Sequence, residues 1–192
     1  MLDAEGLVIT EANRGAIVRP IAADDVQDLY ELRARLESYA AYRASLRRTE
    51  AHLAVMDEAI RGFSAGVRRA ADGRADAVAE LTARNFDFHQ SVVEAARHER
   101  LGVLLRRATD VPLVFQAFRH FDRSSLERSD LFHRLIRDAI VAQDAPRAER
   151  LMVEHIDEGR DAVLESVRSK GSLDALFDDG LVIAEGATPA EP

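Results

Sequence analysis

The chain of 192 residues carries a net charge of −8 and contains no cysteine, which excludes disulfides, thiolate metal ligands and cysteine nucleophiles. Its length fits one compact domain with a small appendage, and its acidic balance argues against a protein whose main task is to coat nucleic acid. No stretch approaches the apolar length of a membrane span, and the first residues lack the regions of a signal peptide. We therefore expect a cytoplasmic protein with no membrane partner.

Strand signals occur only near the N-terminus. Two short runs rich in β-branched residues, 7–10 and 16–19, flank Asn13, Arg14 and Gly15. Because Asn and Gly tolerate positive φ, this pattern predicts a short β-hairpin. Two strands alone are only marginally stable in water, so the hairpin must pack against another part of the protein.

From Asp24 onward the apolar residues recur with the helical period. Pro146 suits the first turn of a helix, and Pro112 predicts a kink. The pattern indicates helices at about 24–47, 49–69, 74–97, 99–121, 125–142 and 146–168, with a further short turn at 173–177. Short connections between amphipathic helices favour an all-α fold, an antiparallel bundle of six to seven helices preceded by the hairpin.

Three histidines are spaced so that they can meet inside such a bundle. Asn85 and His89 are four residues apart and therefore share one helix face, which is the apolar one. His133 lies 11 residues before Asp144, at the centre of a predicted turn, and His155 lies 11 residues after it. In an antiparallel helix pair both would stand about 16 Å from the turn, at one level.

Three imidazoles and one amide oxygen form a ligand set that suits a divalent metal such as Zn²⁺, Ni²⁺ or Mn²⁺, with coordination positions left open. The alternative is structural, because a histidine on an apolar face is more often a core residue whose nitrogens are satisfied by its neighbours. Spacing alone leaves both interpretations open.

Arg33 is a second unusual residue, since it lies on the apolar face of the first helix. A buried guanidinium needs a partner. One interpretation is an internal ion pair with Glu37 or with an acid on a neighbouring helix. The other is that the guanidinium grips the carboxylate of a ligand beside the metal.

These segments resemble a known family, the FadR-type regulators of the GntR family. Residues 29–37 resemble the opening helix of the ligand-binding domain, called FCD, of these regulators. Residues 85–89 match that domain's (Asp/Asn)-x-x-Phe-His signature, and residues 133–140 and 144–156 resemble its closing pair of helices. The resemblance covers roughly residues 24–168.

The resemblance implies a helical bundle whose interior holds a divalent metal on Asn85, His89, His133 and His155. It also implies a small organic acid as effector, bound on or beside the metal, whose binding changes the DNA affinity of an attached winged helix-turn-helix. Many members have Asp where this sequence has Asn85, so the site carries one negative charge fewer. Operator palindromes mirror two-fold protein symmetry, and with the resemblance this predicts a homodimer.

The resemblance further divides the chain into three parts. Residues 1–22 resemble the end of a recognition helix followed by a wing hairpin, residues 23–178 the metal- and effector-binding domain, and residues 179–192 form a flexible tail. The helices that precede the wing are absent from this sequence. We therefore expect a late-assigned start, a truncated product or a sensor core, and DNA binding only where an intact winged helix-turn-helix is present.

Two other functions compete with that of a regulator. A metal-dependent enzyme could use the same three histidines, but it needs a general base, and the sequence has no His-Glu-x-x-His motif. Asp138 and Glu154 are the acids such an enzyme could use, without further support. A helical interaction module without a ligand is the third function considered. We favour the regulator and predict no enzymatic activity.

Overall fold

The computed structural model describes residues 8–11, 15–18, 23–71, 77–109 and 121–170. Two short strands, β1 (Val8–Glu11) and β2 (Gly15–Val18), pair antiparallel near the N-terminus. The residues between the two strands, where the predicted turn at Asn13 and Arg14 falls, lie outside this description.

The described residues also form six helices. They are α1 (Ala23–Arg47), α2 (Glu50–Ala71), α3 (Ala77–Ala95), α4 (Glu99–Thr109), α5 (Arg123–Val141) and α6 (Ala145–Lys170). The predicted helices have these positions to within a few residues, except that the predicted fourth helix extends to 121, through residues that the structure does not describe. None of the helices in the described ranges is long and apolar enough to cross a bilayer.

Three predictions fall on residues that the structure does not describe. These are the extension of the fourth helix towards residue 121 with a kink near Pro112, the short turn at residues 173–177, and the tail that begins at residue 179. The described bundle therefore contains six of the predicted six to seven helices.

The turn between α5 and α6 determines how these two helices align. Gln143 adopts a positive φ of 58°, and the amide of Asp144 donates to the carbonyl of Ala139 at 3.0 Å. These contacts close α5 in the Schellman pattern. The Asp144 carboxylate then accepts from the amide of Arg147 at 3.1 Å, which caps α6. A turn held at both ends in this way fixes the register of the antiparallel pair.

The helices enclose one main core, in which α1 packs along α6, α2 along α3, and α5 along α6. Apolar side chains such as Met56, Phe88 and Ile136 are fully buried there. The same interior holds several charged or ionisable side chains that are less than a tenth exposed. They are Arg33, Glu37, Asp130, His89, His133 and His155. Burying such groups is costly unless each has a partner.

Candidate metal centre and ligand pocket

Three helices bring three histidines together in the core of the bundle. His89 comes from α3, His133 from α5 and His155 from α6, and one ring nitrogen of each lies within 4.8 Å of the others. The residues are 9%, 0% and 7% exposed, respectively. The ring centroids of His133 and His155 are 4.8 Å apart, so these two residues stand at one level, as their equal distance from Asp144 predicts.

His133 has the least polar surroundings of the three. Its ring stacks on Phe88, with centroids 4.1 Å apart, and forms a T-shaped contact with Phe63, with centroids 4.7 Å apart. Within the part of the chain that the structure describes, neither ring nitrogen of His133 has a hydrogen-bond partner. A neutral imidazole carries one donor and one acceptor, and leaving both unpaired in a core costs free energy. A metal ion on one nitrogen would supply such a partner.

The spacing of the other two histidines also fits a metal ion. Nε2 of His89 lies 3.2 Å from Nε2 of His155. Metal–nitrogen bonds of about 2.0–2.1 Å place two ligand nitrogens about 3.3 Å apart in tetrahedral geometry and about 2.9 Å apart in octahedral geometry. The observed separation falls between these values. The three imidazoles and the spacing of this pair therefore fit a divalent ion, and the nitrogen of His133, within 4.8 Å of the others, would move closer on binding it.

Glu37 joins the histidine cluster from α1. Its Oε2 forms a hydrogen bond with Nδ1 of His89, and its Oε1 accepts from Nε of Arg33 at 2.8 Å. Burial alone would raise the pKa of the Glu37 carboxyl, but Arg33 and His89 outweigh burial and hold this pKa well below its usual range. The carboxylate is therefore ionised and bridges the two residues.

A pocket opens beside the cluster. Its volume is about 40 Å³, which is room for a few water molecules or a small ligand group. Its walls include four predicted site residues, Arg33, Asn85, His89 and His155. The other residues that line it are Tyr30, Phe121, Ser125, Arg128, Ser129, Ile156, Glu158 and Gly159. Arg128 and Glu158 form an ion pair of 2.9 Å, and both side chains are about half exposed.

The structure places the predicted site residues as follows. His89, His133 and His155 meet, and Asn85 lies one helical turn from His89 on the pocket wall. Arg33 forms the internal ion pair with Glu37 and also lines the pocket, so its contact with a ligand carboxylate stays a prediction.

Two neighbours of the cluster differ in their role. Arg137, one turn after His133 on α5, lies outside the interior: it is partly exposed and pairs with Asp57 at 2.8 Å. Glu37 was considered only as a partner of Arg33, and its contact with His89 was missed. A glutamate one turn after an arginine on an apolar face was the available signal.

Acid is expected to destabilise the metal-free protein through these histidines. Burial lowers the pKa of His133 and His155 well below 6.5, and the neighbouring imidazoles lower both pKa values further. The unfolded chain then binds more protons than the folded one as the pH falls below about 6.5, so stability present above that pH is lost. Each imidazole that stays neutral contributes a slope of about 1.4 kcal/mol per pH unit.

Thermal unfolding of the metal-free protein between pH 8 and pH 5 measures this effect. His133→Leu, which removes one titrating group and leaves an apolar side chain of similar size, should flatten the dependence. An equally steep loss of stability in the variant would contradict the assignment.

Comparisons with known proteins identify the class to which this helical bundle belongs. The chain is 27% identical over 167 residues to the Nta operon transcriptional regulator of Aminobacter aminovorans, covering 87% of this chain and 75% of that protein. It is 26% identical over 177 residues to the HTH-type transcriptional regulator LutR of Bacillus subtilis, covering 85% and 76%. Both of these relatives are transcriptional regulators.

The family follows from the match to a family model, and a solved structure agrees with it in fold. The FCD domain model matches residues 28–158. A crystal structure of a GntR-family transcriptional regulator from Pseudomonas syringae shares the fold with a TM-score of 0.60 at 21% identity, covering 88% of this chain and 68% of that one. The chain belongs to the FCD-domain family of GntR transcriptional regulators.

Proposed function

We propose that this GntR-family chain is a metabolite-responsive regulator whose helical domain binds a divalent metal and a small carboxylate effector to control DNA binding. One observation carries the proposal: three buried histidines with converging nitrogens lie beside a pocket that an arginine also lines. A cytoplasmic location accords with this role.

The metal would be held by His89, His133 and His155, with the amide oxygen of Asn85 as a fourth ligand. Burial keeps His133 and His155 in the neutral form, which is the form that binds metal. Imidazole ligands suit Zn²⁺, Ni²⁺ or Mn²⁺, and an ion with open positions supplies a strong anchor for a carboxylate oxygen.

The effector would lie in the pocket, with one carboxylate oxygen towards the metal and another towards Arg33. The guanidinium donates through Nε to Glu37 and also contacts Tyr30, and its planar fork would supply further N–H groups for two-point recognition of a carboxylate. The small volume of the pocket favours a mono- or dicarboxylate of a few carbons.

The proposed domains are three. Residues 1–22 would belong to a winged helix-turn-helix, with β1 and β2 as its wing. Residues 23–178 form the metal- and effector-binding domain, and residues 179–192 form the tail. Operator DNA is the expected partner where that DNA-binding unit is intact.

A homodimer is expected from the symmetry of operators. Sedimentation at micromolar concentration tests it, and a single species of 21.3 kDa would contradict it.

Filling the pocket should separate effector binding from metal binding. A Cβ atom at Gly159 would lie 3.3 Å from Cε1 of Tyr30, so Gly159→Leu places a bulky side chain in the pocket wall. We expect the variant to keep its metal and to lose carboxylate binding in calorimetric titration of the metal-loaded protein with a panel of small carboxylates. Asp161→Leu, on the exposed side of the same helix, is the matched control.

Two outcomes would contradict the proposed function. One is that no carboxylate binds the metal-loaded native protein. The other is that Gly159→Leu binds the carboxylate as well as the Asp161→Leu control does.

A further inference from the structure

One buried carboxylate contacts both the histidine cluster and the arginine of the pocket. Glu37 is 3% exposed and uses its two oxygens separately, Oε1 for Nε of Arg33 and Oε2 for Nδ1 of His89. The partners come from different parts of the chain, since Arg33 is one turn away on α1 whereas His89 lies on α3. The proposed metal site does not by itself account for this bridge.

The chemistry of the bridge determines which nitrogen of His89 carries the proton. An ionised carboxylate only accepts hydrogen bonds, so Nδ1 of His89 must be the donor. A neutral imidazole with its proton on Nδ1 has a free lone pair on Nε2. That nitrogen is the one that lies 3.2 Å from Nε2 of His155. In the neutral ring, the contact with Glu37 therefore places the lone pair of His89 on the nitrogen that faces the centre of the cluster.

We propose that Glu37 is a positioning residue: its carboxylate, held by Arg33, fixes the Nδ1–H tautomer and the ring orientation of His89, and so presents Nε2 to a metal ion. The inference rests on the proposed metal site for its purpose, although the tautomer itself can be measured without metal. Partners of this kind raise the basicity of a ligating histidine, and their loss typically weakens metal binding 10- to 100-fold.

Because of Arg33, whether residue 37 is glutamate or glutamine should decide the tautomer of His89. A guanidinium only donates, so in Glu37→Gln the amide oxygen would have to face Arg33 and the amide NH₂ group would face His89. Nδ1 of His89 would then have to accept, and its proton would move to Nε2, the nitrogen meant for the metal. A nearly isosteric change should therefore reverse the tautomer.

Removing the arginine should undo that reversal. In the Arg33→Met/Glu37→Gln double variant the amide is free to turn its oxygen towards His89, because no cation faces the other side. The Nδ1–H tautomer should return, and with it most of the metal affinity. A role of Glu37 in packing alone predicts no such rescue, since the double variant departs further from the native core.

The experiment combines ¹⁵N NMR of the histidine rings in the metal-free protein with competition titration of Zn²⁺ against a chelator. We expect the Nδ1–H tautomer of His89 in the native protein, and the Nε2–H tautomer with 10- to 100-fold weaker Zn²⁺ binding in Glu37→Gln. The double variant should regain the native tautomer and a Zn²⁺ affinity within a few-fold of the native value.

Each outcome decides the proposal. A native His89 with its proton on Nε2 would overturn it without any variant, even if Glu37→Gln failed to fold. An unchanged tautomer and unchanged Zn²⁺ affinity in Glu37→Gln would also overturn it, as would a double variant no better than the single one. Failure of the native protein to bind any metal would contradict the proposed function, whereas the tautomers would still test the positioning of His89.

Discussion

His155→Ala is expected to abolish stable metal binding and to lower thermal stability at the same time. Removing one of three buried imidazoles leaves an incomplete ligand set and a vacant space in the core. A ligand present at 1,000 times its Kd stabilises the folded state by about 4 kcal/mol, and losing that contribution lowers the Tm of a chain of this size by roughly 10 °C. Metal content by elemental analysis and thermal unfolding measure the two effects.

The metal-dependent part of that loss can be isolated with a chelator. With a chelator present, the difference in Tm between the native and His155→Ala proteins should shrink to the part caused by truncating the side chain. His52→Ala is the matched histidine control, since Nδ1 of His52 contacts the amide and the hydroxyl of Thr49 at the start of α2. Its small loss of stability should be the same with and without metal. Equal metal content in native and His155→Ala protein would refute the site.

Arg33→Lys is expected to weaken effector binding by roughly 10- to 150-fold, because a charge-assisted hydrogen bond is worth about 1.5–3 kcal/mol. Lysine keeps a positive charge beside Glu37 but cannot form the planar fork that recognises a carboxylate. It is a sharper variant than Arg33→Ala, which would leave the Glu37 carboxylate buried without its cation and destabilise the core.

Calorimetric titration of a carboxylate into metal-loaded native and Arg33→Lys protein measures the loss. Arg137→Lys, at the partly exposed ion pair with Asp57 outside the pocket, is the control for a generic arginine-to-lysine change. If the effector bound Arg33→Lys with native affinity, Arg33 would serve only the internal ion pair with Glu37.

The fold was largely predictable because its signals are local. Apolar residues at helical spacing marked the helices, and prolines and polar turn residues marked their ends. The level at which His133 and His155 meet also followed from counting outwards from Asp144, since a tight turn gives an antiparallel pair only one register. Boundaries that differ by a few residues, such as the end of α3 at Ala95 rather than 97, depend on local backbone turns like the positive φ of Arg97, which periodicity does not encode.

The site was less predictable, because several of its contacts join distant parts of the chain. That His89 shares a centre with His155 follows from α3 packing into the same core as α5 and α6, and helix spacing does not specify which neighbours meet. The contact of Glu37 with His89 was missed for the same reason. The aromatic wall that Phe88 and Phe63 place around His133 likewise depends on how side chains fill the core.

Burial of the histidine cluster has a kinetic consequence for any ion bound there. His133 is fully buried, so a departing ion would have to leave through the pocket beside His89 and His155 or through a transient separation of helices. Exchange should therefore be slow, and a carboxylate seated in the pocket would stand in the exit route. Which metal the protein carries would then be decided mainly by the ion available while the chain folds, and less by the affinities of competing ions afterwards.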